Sequence, residues 1–360
     1  NSTEIAYGGA VEIAQGLPSD ATGSVAYSFA NGTVIQVVGV NESFVLSGLN
    51  VGSYVVYADY SGDSNYAPAR DSITITVGKA VNDVLVYASD VVYGENATII
   101  VNADVDGRYT VIVGGKRLIA DVVNGEGDVE AALNAGSYDI AVEYVNDNYE
   151  NNVTSIPFTV SKADVALTVE VLDKVYTADV SGIVFASADG EYKVVIGNYE
   201  TLVIVKDGVG SFDVGVLSVG NYTASVSFNG TDNYNSANNE TAFEVTQTGT
   251  NFNIIANSTE IAYGGAVEIA QGLPGDATGS VTYSFANGTV IRVVGVNESF
   301  VLSGLNAGSY VVYADYSGDG NYAPARDSIT ITVSKGDIKL IVIVFDVIYP
   351  QEVNGVVYSS

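Results

Sequence analysis

The side chains able to do chemistry in this chain are almost all carboxylates, amides and hydroxyls. Cys and His are absent, as are Met and Trp. Thiolate nucleophiles, zinc and iron–sulfur sites and Ser–His–Asp triads are therefore excluded. What remains is oxygen chemistry in loops. Residues 57–72 read YADYSGDSNYAPARDS and return as YADYSGDGNYAPARDS at 313–328. The run GDSN at 62–65 has the residue types of a calcium loop. The same types supply local hydrogen bonds and left-handed φ to a tight turn. At the corresponding places the chain reads VNDN (145–148) and NGTDN (229–233), so the loop changes length and loses acids between copies. We read it as a turn, with calcium as the alternative. Asp104, Asp106 and Gly107, and Asp189-Gly190, read the same way. A glycosidase-like carboxylate pair needs a unique cleft; no acid pair stands out, and no catalytic residue, metal ligand or cofactor-binding residue is expected.

The net charge is −29, from 42 Asp and Glu against 13 Lys and Arg. Such a surface repels phosphate backbones, so nucleic acid is excluded as a partner. The most apolar stretch, IKLIVIVFDVIY at 338–349, is short and interrupted by Asp346, so no membrane span is expected. No signal peptide is recognisable at residue 1.

The elements that position these loops repeat. Residues 1–79 and 257–335 differ at six positions only, Ser19/Gly275, Ala26/Thr282, Gln36/Arg292, Val51/Ala307, Ser64/Gly320 and Gly78/Ser334. A shorter period lies within: LNVGSY at 49–54 recurs as LNAGSY at 133–138, LSVGNY at 217–222 and LNAGSY at 305–310. An opening Tyr recurs at 7, 93, 176, 263 and 349, and a closing Lys at 79, 162 and 335. Five modules follow, at 1–79, 80–162, 163–247, 248–335 and 336–360, the last truncated and the first without the strand TNFNIIA that opens the fourth. The expectation is a slice of a longer protein, with strand donation from a neighbouring chain as the alternative.

Within a module the hydrophobic period is two. Val25, Tyr27 and Phe29 alternate with small or polar residues and run into the hairpin pair Asn31-Gly32; Ile73, Ile75 and Val77 alternate likewise. Seven or so such strands predict an all-β chain of tandem immunoglobulin-like β-sandwiches, about 85 residues each, arranged as an elongated rod. Leu-x-x-Gly-x-Tyr is similar to the tyrosine corner of such sandwiches, which assigns the corner to Tyr54, Tyr138, Tyr222 and Tyr310. Val56, Ala58 and Tyr60 then face the core, as do Ile140, Val142 and Tyr144, and Ala224, Val226 and Phe228.

The pattern G-x-Y-x-x-x-x-x-Y-x-G-D-x-N-Y, with Tyr-Gly at 7–8, 93–94 and 263–264, resembles the bacterial-type Ig-like repeats of large surface proteins. Its Asn-, Asp- and Tyr-rich character is similar to the adhesin-like proteins of methanogenic archaea such as Methanobrevibacter. The likeness covers the whole chain. The third module departs from it at Thr177 and Phe228, and the fifth at Pro350. The resemblance implies a non-enzymatic stalk or fibre at the cell surface, meeting other cells, surface glycans or copies of itself. Sequons at Asn1, Asn31, Asn41, Asn96, Asn152, Asn221, Asn229, Asn239, Asn257, Asn287 and Asn297 agree with an extracellular, glycosylated protein. Two further readings are a self-associating filament, with Val55, Tyr57, Val311 and Tyr313 as outward apolar contacts, and a carbohydrate-binding module using some of the 25 tyrosines. Closing lysines at module junctions sit in the wrong place for isopeptide cross-links inside a strand core.

Overall fold

The computed structural model describes residues 3–153, 155–346 and 355–359. Asn1, Tyr349, Pro350 and the side chain of Asn152 lie outside the described residues. Every regular element among them is a strand. The first repeat has β1 (Glu4–Ala6), β2 (Ala10–Ala14), β3 (Ser24–Phe29), β4 (Val34–Gly39), β5 (Ser43–Ser47), β6 (Gly52–Tyr60) and β7 (Ala69–Gly78). One sheet has the order β1-β7-β6-β3-β4, and β2 pairs with β5 in the facing sheet.

The period of two produces this directly. Val25 and Tyr27 of β3, Val56 and Tyr60 of β6, and Ile75 and Val77 of β7 are buried between the sheets. The β3–β4 hairpin closes where Gly32 takes φ 83° and the Asn31 side chain accepts from Thr33 N at 3.0 Å. In the second and third repeats Ile140 and Val142, and Ala224, Val226 and Phe228, are buried, while Ala58 and Tyr144 are half-buried.

One pairing is not visible in the hydrophobic pattern. β1 runs parallel to β7, with Glu4 opposite Thr76. The chain then crosses to the other sheet at Gly8, whose φ is 82°. Glu260–Ala262 repeats this pairing on Ala325–Ser334, and Gly94 and Gly264 repeat the left-handed crossing. In the third repeat Thr177 holds it, at φ 81°.

The chain forms two compact units, residues 1–164 with 230–235, and residues 165–229 with 236–360. In the first unit the second sandwich has Lys116–Val122, Gly107–Val113, Gly136–Glu143, Ile156–Ser161 and Val91–Val92 in one sheet, and Glu126–Ala132, Asn96–Ala103, Ala80–Ala88 and Tyr149–Val153 in the other. In the second unit the strand Asn253–Ala256 extends the small sheet of the last full sandwich to three strands. A separate hairpin pairs Leu340–Val344 with Gly355–Ser359.

Candidate functional site

The loop that opened the sequence question, between β6 and β7, is organised by one carboxylate. Asp63 Oδ1 accepts from Asn65 N (2.7 Å) and Tyr66 N (2.8 Å), and Oδ2 accepts from Thr22 N (2.7 Å) and Thr22 Oγ1 (3.1 Å). The bond from Thr22 N leads the several that hold its pKa well below the usual carboxylate range. Asp319 repeats the set with Asn321, Tyr322 and Thr278. There burial opposes ionisation, and the bonds from Thr278, Tyr322 and Asn321 outweigh it. Elsewhere the acceptor is uncharged. Asn146 Oδ1 takes Asn148 N at 2.8 Å, and Thr231 Oγ1 takes Asn233 N and Tyr234 N at 3.2 Å. The position needs an acceptor that folds the loop, and its charge is dispensable. Asp106 and Asp189 are acceptors too, for Gly125 N and Gly208 N on another hairpin. Among the described residues no three acidic side chains gather as a metal-ligand set.

The two residues that follow in the folded loop, Asn and Tyr, make contacts with another repeat. In the second repeat Asn148 Oδ1 accepts from Val51 N (3.1 Å), and its amide donates to Asn50 Oδ1 (3.3 Å). Both partners sit in the turn whose shape Tyr54 holds, its hydroxyl donating to Asn50 O at 3.0 Å. Tyr149 meets Tyr7 edge to face, with ring centroids 5.2 Å apart. Lys79 Nζ donates to Asn146 O and Tyr149 O, and Ala80 N to Asn148 O. A loop of one repeat is thus pegged into the corner of the repeat before it.

The peg recurs. Segment 230–235 groups with the first unit, and there Asn233 Oδ1 accepts from Ala135 N (2.9 Å), Tyr234 meets Tyr93 at 5.4 Å, and Lys162 Nζ donates to Thr231 O (2.7 Å). In the second unit Asn321 Oδ1 accepts from Val219 N (3.1 Å) and Tyr322 meets Tyr176 at 5.5 Å. Gln247 takes the Lys position and donates to Asp319 O. Here both tyrosine hydroxyls also donate to Asp276, each at 2.7 Å. Those bonds hold the Asp276 carboxyl below its usual range. The bond to Asp276, with burial second, pushes Tyr322 up to about 12. Within each compact unit the loop is therefore more than a turn: it holds the corner of another repeat.

The sheet orders and the corner bonds of Tyr54, Tyr138, Tyr222 and Tyr310, each to the carbonyl four residues back, are now in place. These are immunoglobulin-like β-sandwiches in tandem. No family model matches the chain, and no curated protein does. Among solved structures it is similar to one described as Sidekick-1 immunoglobulin domains 1-5, with 14% identity and a TM-score of 0.27 over 92% of this chain and 78% of that one. A likeness at that level carries no functional information.

The other sequence-expected residues of this Ig-like array are scattered. Asn31, Asn41, Asn96, Asn221, Asn229, Asn257, Asn287 and Asn297 are exposed, and Asn239 is half-buried. Val55, Tyr57, Val311 and Tyr313 are half-buried; Arg70 lies over the Tyr57 ring at 4.8 Å and Arg326 over the Tyr313 ring at 5.3 Å. Each arginine is held in place by two bonds to Asp59 or Asp315. The peg residues Asn148, Asn233 and Asn321 escape sequence reasoning. Their one signal is the repeated Asn-Tyr pair after the turn, which turn chemistry alone does not require.

Proposed function

We propose that the chain is a stretch of a non-enzymatic cell-surface repeat protein, an adhesin-like stalk that stands outside the cell and supports adhesion. The observation that carries this reading is the peg. The same Asn–backbone bond and Tyr–Tyr contact recur at three places along the chain. A repeat-to-repeat lock suits a protein whose task is to hold something away from a surface. It joins one sandwich to another. We place the module boundaries at 1–79, 80–162, 163–247 and 248–335, with a fifth module from 336. The reading needs no metal, and its partners are other cells, surface glycans or further copies. The kinship we propose is with bacterial-type Ig-like repeats of archaeal adhesin-like proteins, and the exposed sequons are its glycan sites. Among the described residues no helix is long and apolar enough to cross a membrane.

Immunogold electron microscopy of the native cell surface, with antibody to the 256-residue super-repeat, tests this reading. Label in a coat at the wall is expected. Label confined to the cell interior overturns it.

A further inference from the structure

Oxidation has few targets in this chain. Cys, Met, Trp and His, the side chains that ordinarily react first, are absent, and 25 tyrosines remain as the most readily oxidised groups. Loss of an electron and the phenolic proton turns a tyrosine into a phenoxyl radical. Two such radicals join within one chain only where their rings already lie close together. Three pairs of rings meet edge to face between repeats: Tyr7 with Tyr149 at 5.2 Å, Tyr93 with Tyr234 at 5.4 Å and Tyr176 with Tyr322 at 5.5 Å. Tyr109 also stacks on Tyr144 inside the second sandwich, but Tyr109 is fully buried and out of reach of an external oxidant.

The pair Tyr176–Tyr322 is set apart by what its hydroxyls meet. Tyr176 Oη donates to Asp276 Oδ2 and Tyr322 Oη to Asp276 Oδ1, each at 2.7 Å. One carboxylate thus receives both phenolic hydrogens. The ortho carbons of the two rings, each two bonds from its hydroxyl oxygen, lie beside that same carboxylate. All three residues belong to the second compact unit. Tyr322 keeps 5% of its surface, whereas Tyr176 is half-buried and opens the pair to solvent. A neutral tyrosyl radical forms when the proton leaves with the electron, and a base already bonded to the hydroxyl takes that proton without rearrangement. The other two pairs have the ring contact without Asp276.

We propose that Tyr176 and Tyr322 are the site of an oxidative cross-link, a dityrosine that joins the third repeat to the fourth, with Asp276 as the proton acceptor. The oxidant is hydrogen peroxide acting through a haem peroxidase. Each ring gives up one electron, and its phenolic proton passes to Asp276 and on to water. The two radicals form a carbon–carbon bond between ortho carbons. Each of those carbons then loses its hydrogen as the ring regains aromaticity and its oxygen is protonated again. In all, two tyrosines lose two electrons and two protons, and one peroxide becomes two waters. A bond between residues 176 and 322 restricts the unfolded chain as a disulfide would, in a protein that has no cysteine. This inference goes beyond the proposed surface role and does not depend on it, because it concerns the chemistry of the purified protein.

The test is oxidation of the purified 360-residue chain at low concentration with a haem peroxidase and hydrogen peroxide, followed by trypsin and mass spectrometry. Trypsin releases residues 175–193 and 293–326, which carry the two tyrosines. The expected product is these two peptides joined, lighter than their sum by two hydrogen atoms, with fragmentation placing the link at Tyr176 and Tyr322. Dityrosine fluorescence and a raised melting temperature should accompany it. Asp276→Asn keeps the shape of the side chain and one acceptor oxygen. It should cut the yield of joined peptide at least tenfold at equal oxidant, with circular dichroism unchanged. Asp276→Glu restores the carboxylate and should recover part of that yield. Oxidation that consumes tyrosines elsewhere and leaves the two peptides unjoined overturns the proposal. So does joining at undiminished yield in Asp276→Asn, or a yield in Asp276→Glu no higher than in Asp276→Asn, since either would show that the carboxylate takes no proton. Separate chains joined through other tyrosines, with Tyr176 and Tyr322 unlinked, overturn it as well.

Discussion

Thr177 occupies a left-handed backbone position that Gly holds at 8, 94 and 264. A β-branched side chain there costs roughly 1–2 kcal/mol, part of which Gly would return as unfolded-state entropy. Thr177→Gly should raise the stability of the third sandwich by about 0.5–1 kcal/mol, read by chemical denaturation. The corner tyrosines act through one hydroxyl each. Tyr138→Phe removes the 2.8 Å bond to Asn134 O and should cost about 1 kcal/mol with the fold unchanged. The loop acids impose a pH signature. Asp63, Asp319 and Asp276 have folded pKa values below their unfolded ones, so their stabilisation is present above about pH 4 and is lost as pH falls further. Tyr322 has the opposite sign. Its contribution is present below its unfolded pKa near 10 and is lost as pH rises through about 12. A melting temperature flat from about pH 5 to 9, falling on both sides, is the expected profile. Millimolar calcium should leave it unmoved; a clear rise would show that the loops bind the ion.

Among the elements, the loop before each last strand does two jobs with adjacent residues. Asp63, Asn146, Thr231 and Asp319 accept the bonds that fold it, and the Asn-Tyr pairs at 148–149, 233–234 and 321–322 reach a corner of another repeat. Strand spacing makes this possible, since the first repeat ends at Gly78 and the next strand starts at Ala80, with Lys79 alone between. Lys79 is also one of only 13 basic residues, so it is a rare site for a trypsin-like protease. Its ammonium is tied to Asn146 O and Tyr149 O. Asn148→Ala with Tyr149→Ala should accelerate cleavage after Lys79 several-fold, because opening at this linker no longer breaks the peg. An unchanged cleavage rate would show that the peg does not restrain the linker.

For the whole molecule, charge decides the response to salt. The chain carries −29, so its like charges repel one another across the folded surface. Raising ionic strength from about 0.01 to 0.15 M, which shortens the screening length from about 30 to 8 Å, should therefore raise the melting temperature. A melting temperature that falls with added salt would mean that ion pairs outweigh the repulsion.

The all-β sandwich was legible because its determinants are local. Val25, Tyr27 and Phe29 set a period of two, Asn31-Gly32 sets a hairpin, and both act over a few residues whatever surrounds them. The sequence repeats, the corner motif and the lack of thiol and imidazole side chains were likewise open to reading in the chain alone. The parallel pairing of β1 with β7 was not, since its partners lie some 70 residues apart and three residues carry little pattern. Nor was the part played by Asn148, Asn233 and Asn321. An Asn after a turn is ordinary turn chemistry until another repeat's corner is brought within 3.1 Å of it. The outward phase of Tyr57 and Tyr313 was readable, but their cover by Arg70 and Arg326 was not, because it depends on which side chain lies across the strand. Period, turn and composition are carried by neighbours in sequence. Which loop meets which corner, and which arginine covers which tyrosine, depends on distances between residues that are not neighbours in the chain, and only folding sets those distances.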